Sequence, residues 1–210
     1  MNGVQKRVGR RPKDVRERTS DRLDYVAAAC GLIEEGGVGA LTARSLAQSL
    51  GVAVGTVYNT FENLESLRLE ANAVTMRDLR VVLSGALDAC PDGSPEDRLV
   101  ALGLAYARFA NERRNAWTAM LAPRTMEVPP AIAREISDLF GLIGGVLAST
   151  GRVPPTRLPV TVKALWASVH GMVQLGEGGG LGPIAPQDVP PMLELLVRAA
   201  VRGLLADPPA

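Results

Sequence analysis

Between its glycine and proline breaks this chain repeats one pattern, apolar residues spaced three and four apart. Leu23, Val26, Ala27, Cys30 and Ile33 set the pattern, and it returns in segment after segment without strict alternation. Steps of three and four bring side chains onto one face of an α-helix, whereas a half-buried strand needs a step of two. The chain is therefore expected to be all-α. Aromatic residues make up 4% of the chain within 47% apolar residues. Its core has to be built from Leu, Val and Ala, which suit helices packed ridge into groove better than a sandwich or barrel.

The breaks place about nine helices. The first runs from about Ser20 to the glycines Gly36, Gly37 and Gly39. Thr42 caps a short second helix, Ala43–Leu50, and Gly51 separates it from a third, Val54–Thr60. Asn63 caps a long fourth helix with Leu64, Leu67, Ala71, Val74, Leu79, Val82 and Leu87 near one face. Ser94 and Pro95 start a fifth, which ends near Glu112. A short sixth lies around Trp117–Ala122, a seventh at Pro130–Thr150, an eighth from Pro159 to about Gly176, and a ninth at Val189–Leu205.

The formal charge of +1 conceals an asymmetry. Residues 1–22 hold eight Lys/Arg and three Asp/Glu, a net +5, and the remainder is −4. A cationic head on a mildly acidic body calls for an anionic partner at the head alone, or marks a solubilising tail. Cys30 and Cys90 lack CxxC or Cys/His neighbours, which fits a reduced, cytoplasmic chain. The basic N-terminus has no apolar stretch of a signal peptide, and the longest apolar run, around Leu139–Ala148, is too short to span a bilayer. The motifs of nucleotide, acyl-transfer, metalloprotease and dinucleotide sites are missing, so no enzyme activity is expected. His170 is the single histidine and has no ligand-type residue at metal spacing. Neither a metal nor a cofactor is expected.

Function is carried by Leu41–Phe61. Two short helices that cross steeply can send the second into the major groove of DNA. Ala47 is small where the helices approach, and Gly51 stands where the turn needs a left-handed backbone. Leu46, Leu50, Val52 and Val57 are the expected local core. An Ala, a Gly four residues later and an apolar residue six further on form a helix-turn-helix signature.

Over about Leu23–Leu67 the sequence resembles the TetR/AcrR family of bacterial transcriptional regulators. The resemblance rests on Leu41-Thr42-x-Arg44-x-Leu46-Ala47, Gly51-Val52, Gly55-Thr56-Val57-Tyr58 and Phe61-x-Asn63-x-Glu65-x-Leu67. It implies a basic arm over 1–18, a helix-turn-helix DNA-binding domain over 19–62, and an effector-binding and dimerisation domain over 63–210. Thr42, Arg44 and Tyr58 are then expected at phosphates, Tyr58 being otherwise a packed aromatic. Val54, Gly55, Thr56 and Asn59 are expected on the exposed face of the recognition helix. Arg10 and Arg11, in Gly9-Arg10-Arg11-Pro12-Lys13, are expected in the minor groove, or serve as a tail attracted to phosphates without specificity. Two positions depart from the family pattern. Ala53 stands where many members have a capping serine, and Leu64 where many have a phosphate-binding lysine.

In the C-terminal part, Ala164-Leu165-Trp166 with His170-Gly171 resembles the Trp/His-Gly group of TetR C-terminal domains. The resemblance implies a ligand pocket enclosed by helices five to seven and a dimer face on the last two. Ala164, Ser168 and Gly171 form one stripe of small residues, and Ala199 and Gly203, with Leu195 beside them, another. These six are the expected dimer contacts, unless the stripes pack within one subunit. Leu165, Val169 and Leu196 are expected to add apolar area there. Tyr106, Phe109, Trp117, Met120, Phe140, Trp166 and His170 are the candidate ligand contacts, each being otherwise plain core. The expected function is a homodimeric repressor released from a double-stranded DNA operator by a small apolar effector. A regulator controlled by a protein partner is the alternative.

Overall fold

The computed structural model describes residues 15–123, 125–178 and 184–206, the side chains of 15–21 and 205 apart. Arg10 and Arg11 lie outside the described residues. The described residues form nine α-helices and two short 3-10 turns, with no strand. The helices are α1 (Val15–Gly36), α2 (Ala43–Leu50), α3 (Val54–Thr60), α4 (Leu64–Asp88), α5 (Pro95–Glu112), α6 (Arg114–Leu121), α7 (Pro130–Ser149), α8 (Leu158–Gly178) and α9 (Val189–Ala206).

Local chemistry sets the boundaries of the head. Thr42 and Ser45 form a reciprocal capping box, each side-chain oxygen accepting the other residue's backbone N–H at 3.0 Å. Gly51 ends α2 at φ 65°, and Val52 N–H reaches back to the Ala47 carbonyl at 2.9 Å. That left-handed turn closes the helix and sets the crossing of α2 and α3. The Asn63 side chain accepts from Ser66 N–H at 2.8 Å, and Ser94 accepts from Asp97 N–H at 3.1 Å.

Two expectations about elements need correction. α1 starts at Val15, inside the segment expected to be arm, because residues 15–21 contain neither glycine nor proline to stop it. α4 does not carry one apolar face. Leu67, Leu69, Ala71, Ala73, Met76, Leu79 and Leu83 are buried around it, while Val74, Val82 and Leu87 are half-buried. The reason is position: α1 and α6 cover α4 near its start, and α5 and α7 cover the rest.

Two apolar cores result. Tyr25, Ile33, Leu46, Val57 and Phe61 fill the head, joined by Leu67 and Ala71 of α4 and by Ala119 of α6. The body core runs from Leu69 through α5, α7 and α8 to Val201 of α9. Both cores share α4.

Candidate DNA-binding surface and ligand cavity

α3 buries Val57 against the head and turns its other face outward. Val54, Gly55, Tyr58 and Asn59 are exposed, Tyr58 to 55%, and Thr56 is half-buried. A methyl group added at Gly55 would meet nothing within 4 Å, so packing within the chain does not require glycine there. No side chain caps α3, since Ala53 cannot. Arg44 is exposed in the first turn of α2. Thr42 is exposed, and its hydroxyl accepts Ser45 N–H and lies 2.9 Å from Ser45 Oγ, which also reaches the Ala40 carbonyl at 2.6 Å. In this geometry Thr42 fixes the start of α2. Leu64 is half-buried against the head core.

In the body, α4, α5, α7 and α8 enclose a cavity of about 280 Å3. Of the expected ligand contacts, Tyr106, Met120, Phe140 and Trp166 line it. Met76, Leu79, Leu83, Leu139 and Ile143 complete much of the wall, and sequence reasoning had assigned them no role beyond packing.

Phe109, Trp117 and His170 do not line the cavity. Phe109 is buried beneath the Arg113 guanidinium, 5.6 Å from ring centre to cation. Trp117 and His170 stand behind the wall and hold it. The Trp117 indole N–H donates to the Tyr106 oxygen at 3.0 Å, and Tyr106 Oη lies 2.8 Å from His170 Nδ1. Indole is only a donor, so the Tyr106 oxygen is its acceptor, and the same oxygen bridges Trp117 to His170. Burial acts on both groups by disfavouring their charged forms. It pushes the Tyr106 pKa up to about 12 and lowers that of His170. The imidazole also stacks on Trp166 at 5.0 Å and 12°, and Trp166 meets Phe140 edge-on at 5.4 Å.

Cavity and head meet across a polar junction. Arg68, 5% exposed, donates to the carbonyls of Ala119 at 3.2 Å and Pro123 at 3.1 Å, and pairs with Glu65 at 2.6 Å. Asn72, one turn on, donates to the same Ala119 carbonyl at 3.0 Å. A second tie runs through Arg113, which pairs with Glu34 of α1 at 3.0 Å and Asp78 of α4 at 2.6 Å. Sequence reasoning missed Arg68 and Asn72. Their signal was a polar pair four residues apart inside an apolar stretch, which places both on one face.

The outer faces of α8 and α9 are apolar and open. Ala164, Ser168, Ala199 and Gly203 are exposed, Leu195 is 73% exposed, and Gly171 is half-buried. A groove of about 440 Å3 runs between the helices, lined by Val160, Ala164, Ser168, Leu196, Ala200 and Gly203 among others. Val169, expected on this face, is turned toward the cavity instead, and Leu165, though buried, still lines the groove. Leu165 touches both spaces and is the partition between cavity and groove.

The profile described as "Bacterial regulatory proteins, tetR family" matches residues 26–71, and that described as "Tetracyclin repressor-like, C-terminal domain" matches residues 99–200. The chain belongs to the TetR family. The first match covers the second half of α1, α2, α3 and the start of α4. The second covers most of α5, then α6, α7, α8 with the Trp/His-Gly segment, and part of α9. This TetR-family protein is a DNA-binding transcriptional regulator, and its family is one of regulators rather than enzymes.

Solved structures share the fold. A protein of unknown function from Rhodococcus sp. RHA1 aligns with TM-score 0.69 and 22% identity over 88% of this chain and 95% of its own. A TetR transcriptional regulator from the same organism gives TM-score 0.64 and 19% identity over 91% and 99%. The TetR-family regulator PfmR from Thermus thermophilus gives 0.57 and 19% over 82% and 96%. No curated protein matches the sequence significantly. Among the described residues no helix is long and apolar enough to cross a membrane, and no cluster of His, Cys, Asp and Glu could hold a metal ion.

Proposed function

We propose that this regulator is a cytoplasmic homodimeric repressor that leaves its operator when a small apolar ligand fills the body cavity. One observation carries the reading: α4 belongs to both functional parts. Its first turns supply Leu67 and Ala71 to the head core, and further along Met76, Leu79 and Leu83 form the cavity wall. A packed helix moves as a unit, so a ligand that displaces the wall displaces the seat of the recognition helix.

The remaining roles follow from exposure. Tyr58 and Arg44 reach phosphates, while Thr56 and Asn59 face base edges. Gly55, with open space around it, lets the α3 backbone approach DNA. The exposed stripes of α8 and α9, led by Leu195, meet their twofold copies. Small residues there allow close helix approach.

The test is binding to a near-palindromic duplex whose half-sites lie about 34–36 Å apart, or a helical-turn multiple of that. Tyr58→Phe is expected to weaken binding to all sequences alike, and Asn59→Ala to change sequence preference. A cavity ligand is expected to weaken operator binding, and operator to weaken ligand binding by the same factor. Equal ligand affinity with and without operator would overturn the coupling.

A further inference from the structure

The cavity has a chemical character that narrows its occupant. No Asp, Glu, Lys, Arg or His contributes to its lining. Tyr106 and Trp166 are the lining residues with polar side-chain atoms, and the Tyr106 hydroxyl is already engaged. It accepts from Trp117 and is hydrogen-bonded to His170. An ion entering here would lose its hydration and find no opposite charge.

Aromatic residues are scarce in this chain and gather at this place. Of eight Phe, Tyr and Trp side chains in 210 residues, Tyr106, Phe140 and Trp166 line the cavity. Their rings are held rather than loose: Trp166 is stacked on His170, and Phe140 meets Trp166 edge to face. Met76 and Met120 add polarizable thioethers to the same wall. Fixed ring edges and sulfur atoms favour flat π-systems over flexible chains, which also lose more rotational freedom when confined.

We propose that the cavity selects an uncharged aromatic molecule of about two fused rings, in preference to anions and to linear aliphatic compounds. This rests on the ligand-released reading above and specifies its ligand class. The π-face of the ligand meets the edges of Phe140 and Trp166, and aliphatic side chains of α4 and α7 close over it.

The experiment uses the full-length protein and three probes, 1-naphthol, 1-naphthoate and 1-decanol, with affinities measured by calorimetry. The expected result is 1-naphthol binding about tenfold or more tightly than either of the others. Phe140→Leu keeps an apolar wall but removes the ring. It is expected to weaken 1-naphthol roughly three- to tenfold and leave 1-decanol unchanged. Naphthoate binding as tightly as naphthol would overturn the requirement for neutrality, and decanol binding as tightly would overturn the aromatic preference. The ligand-released reading would survive either outcome, provided the tighter probe released operator. Failure of all three probes to bind would overturn the proposal. If 1-naphthol binds as expected but operator affinity does not change, the ligand class stands and the release mechanism falls.

Discussion

Arg68 and Ala119 join the head to the body: the guanidinium on α4 donates to the last-turn carbonyl of α6 at 3.2 Å, in a site closed to solvent. A helix C-terminus carries excess negative charge on its unpaired carbonyls, so a buried cation there is both hydrogen-bonded and favourably placed. Glu65 balances the charge at 2.6 Å.

Replacing Arg68 by Met is therefore expected to cost about 2 kcal/mol, because Glu65, the Ala119 carbonyl and the Pro123 carbonyl each lose one charged donor. Asn72→Ala removes one neutral bond and is expected to cost about 1 kcal/mol. Urea denaturation of the full chain measures both. A loss for Arg68→Met no greater than that for Asn72→Ala would show that the junction is held by packing instead.

The recognition helix lacks a capping side chain, and Ala53 is exposed with extended backbone, φ −73° and ψ 145°. Serine fits that conformation and can accept from the first turn of α3. Ala53→Ser is expected to stabilise the protein by about 1 kcal/mol, raising Tm by roughly 2–4 °C for a chain of this size. A thermal melt that does not rise would show that the first turn of α3 gains nothing from a side-chain acceptor.

Leu195 is 73% exposed on α9, so a polar substitution there leaves the subunit core untouched. In a twofold interface one substitution enters twice, and Leu195→Glu sets two carboxylates into an apolar contact. Sedimentation is expected to show monomer, and operator affinity is expected to fall with it. A dimer of unchanged stability would move the interface elsewhere.

The pair behind the cavity wall makes stability depend on pH at both ends. Burial lowers the His170 pKa from 6.5, so the unfolded chain takes up the proton first. The stabilisation is complete above about pH 6.5 and is lost as pH falls through the folded value. Tyr106 is the reverse case. Its pKa rises from 10.0 to about 12 in the folded protein, so its contribution is complete below pH 10 and is lost as pH climbs toward 12. That loss is about 2–3 kcal/mol for a shift of this size. Stability profiles of Tyr106→Phe and His170→Gln, compared with the parent, are expected to be flatter in the alkaline and acidic limbs respectively. Profiles parallel to the parent would mean that neither group titrates against burial.

Much of this protein is written locally. Thr42, Asn63 and Ser94 cap the helices the sequence predicts, because a cap depends on residues three positions away. Gly51 adopts the left-handed turn expected of it, because that requirement belongs to one residue's own backbone. The helix-turn-helix segment and the all-α class were legible for the same reason.

What lies between distant segments was not. Tyr106, Phe109 and Trp117 look alike in sequence, as apolar positions on neighbouring helices, yet Tyr106 faces a cavity, Phe109 fills core and Trp117 supports a hydrogen bond. Helical spacing says that a face is buried without saying what it is buried against. The same limit hid the inward turn of Val169 and the burial of Arg68 beneath α6. The sequence by itself determined helix, cap, turn and DNA-reading motif, since these arise from neighbours along the chain. Only the tertiary structure decided cavity, junction and partition, because each is made by side chains that are far apart in the chain and depends on how whole helices rotate to share their faces.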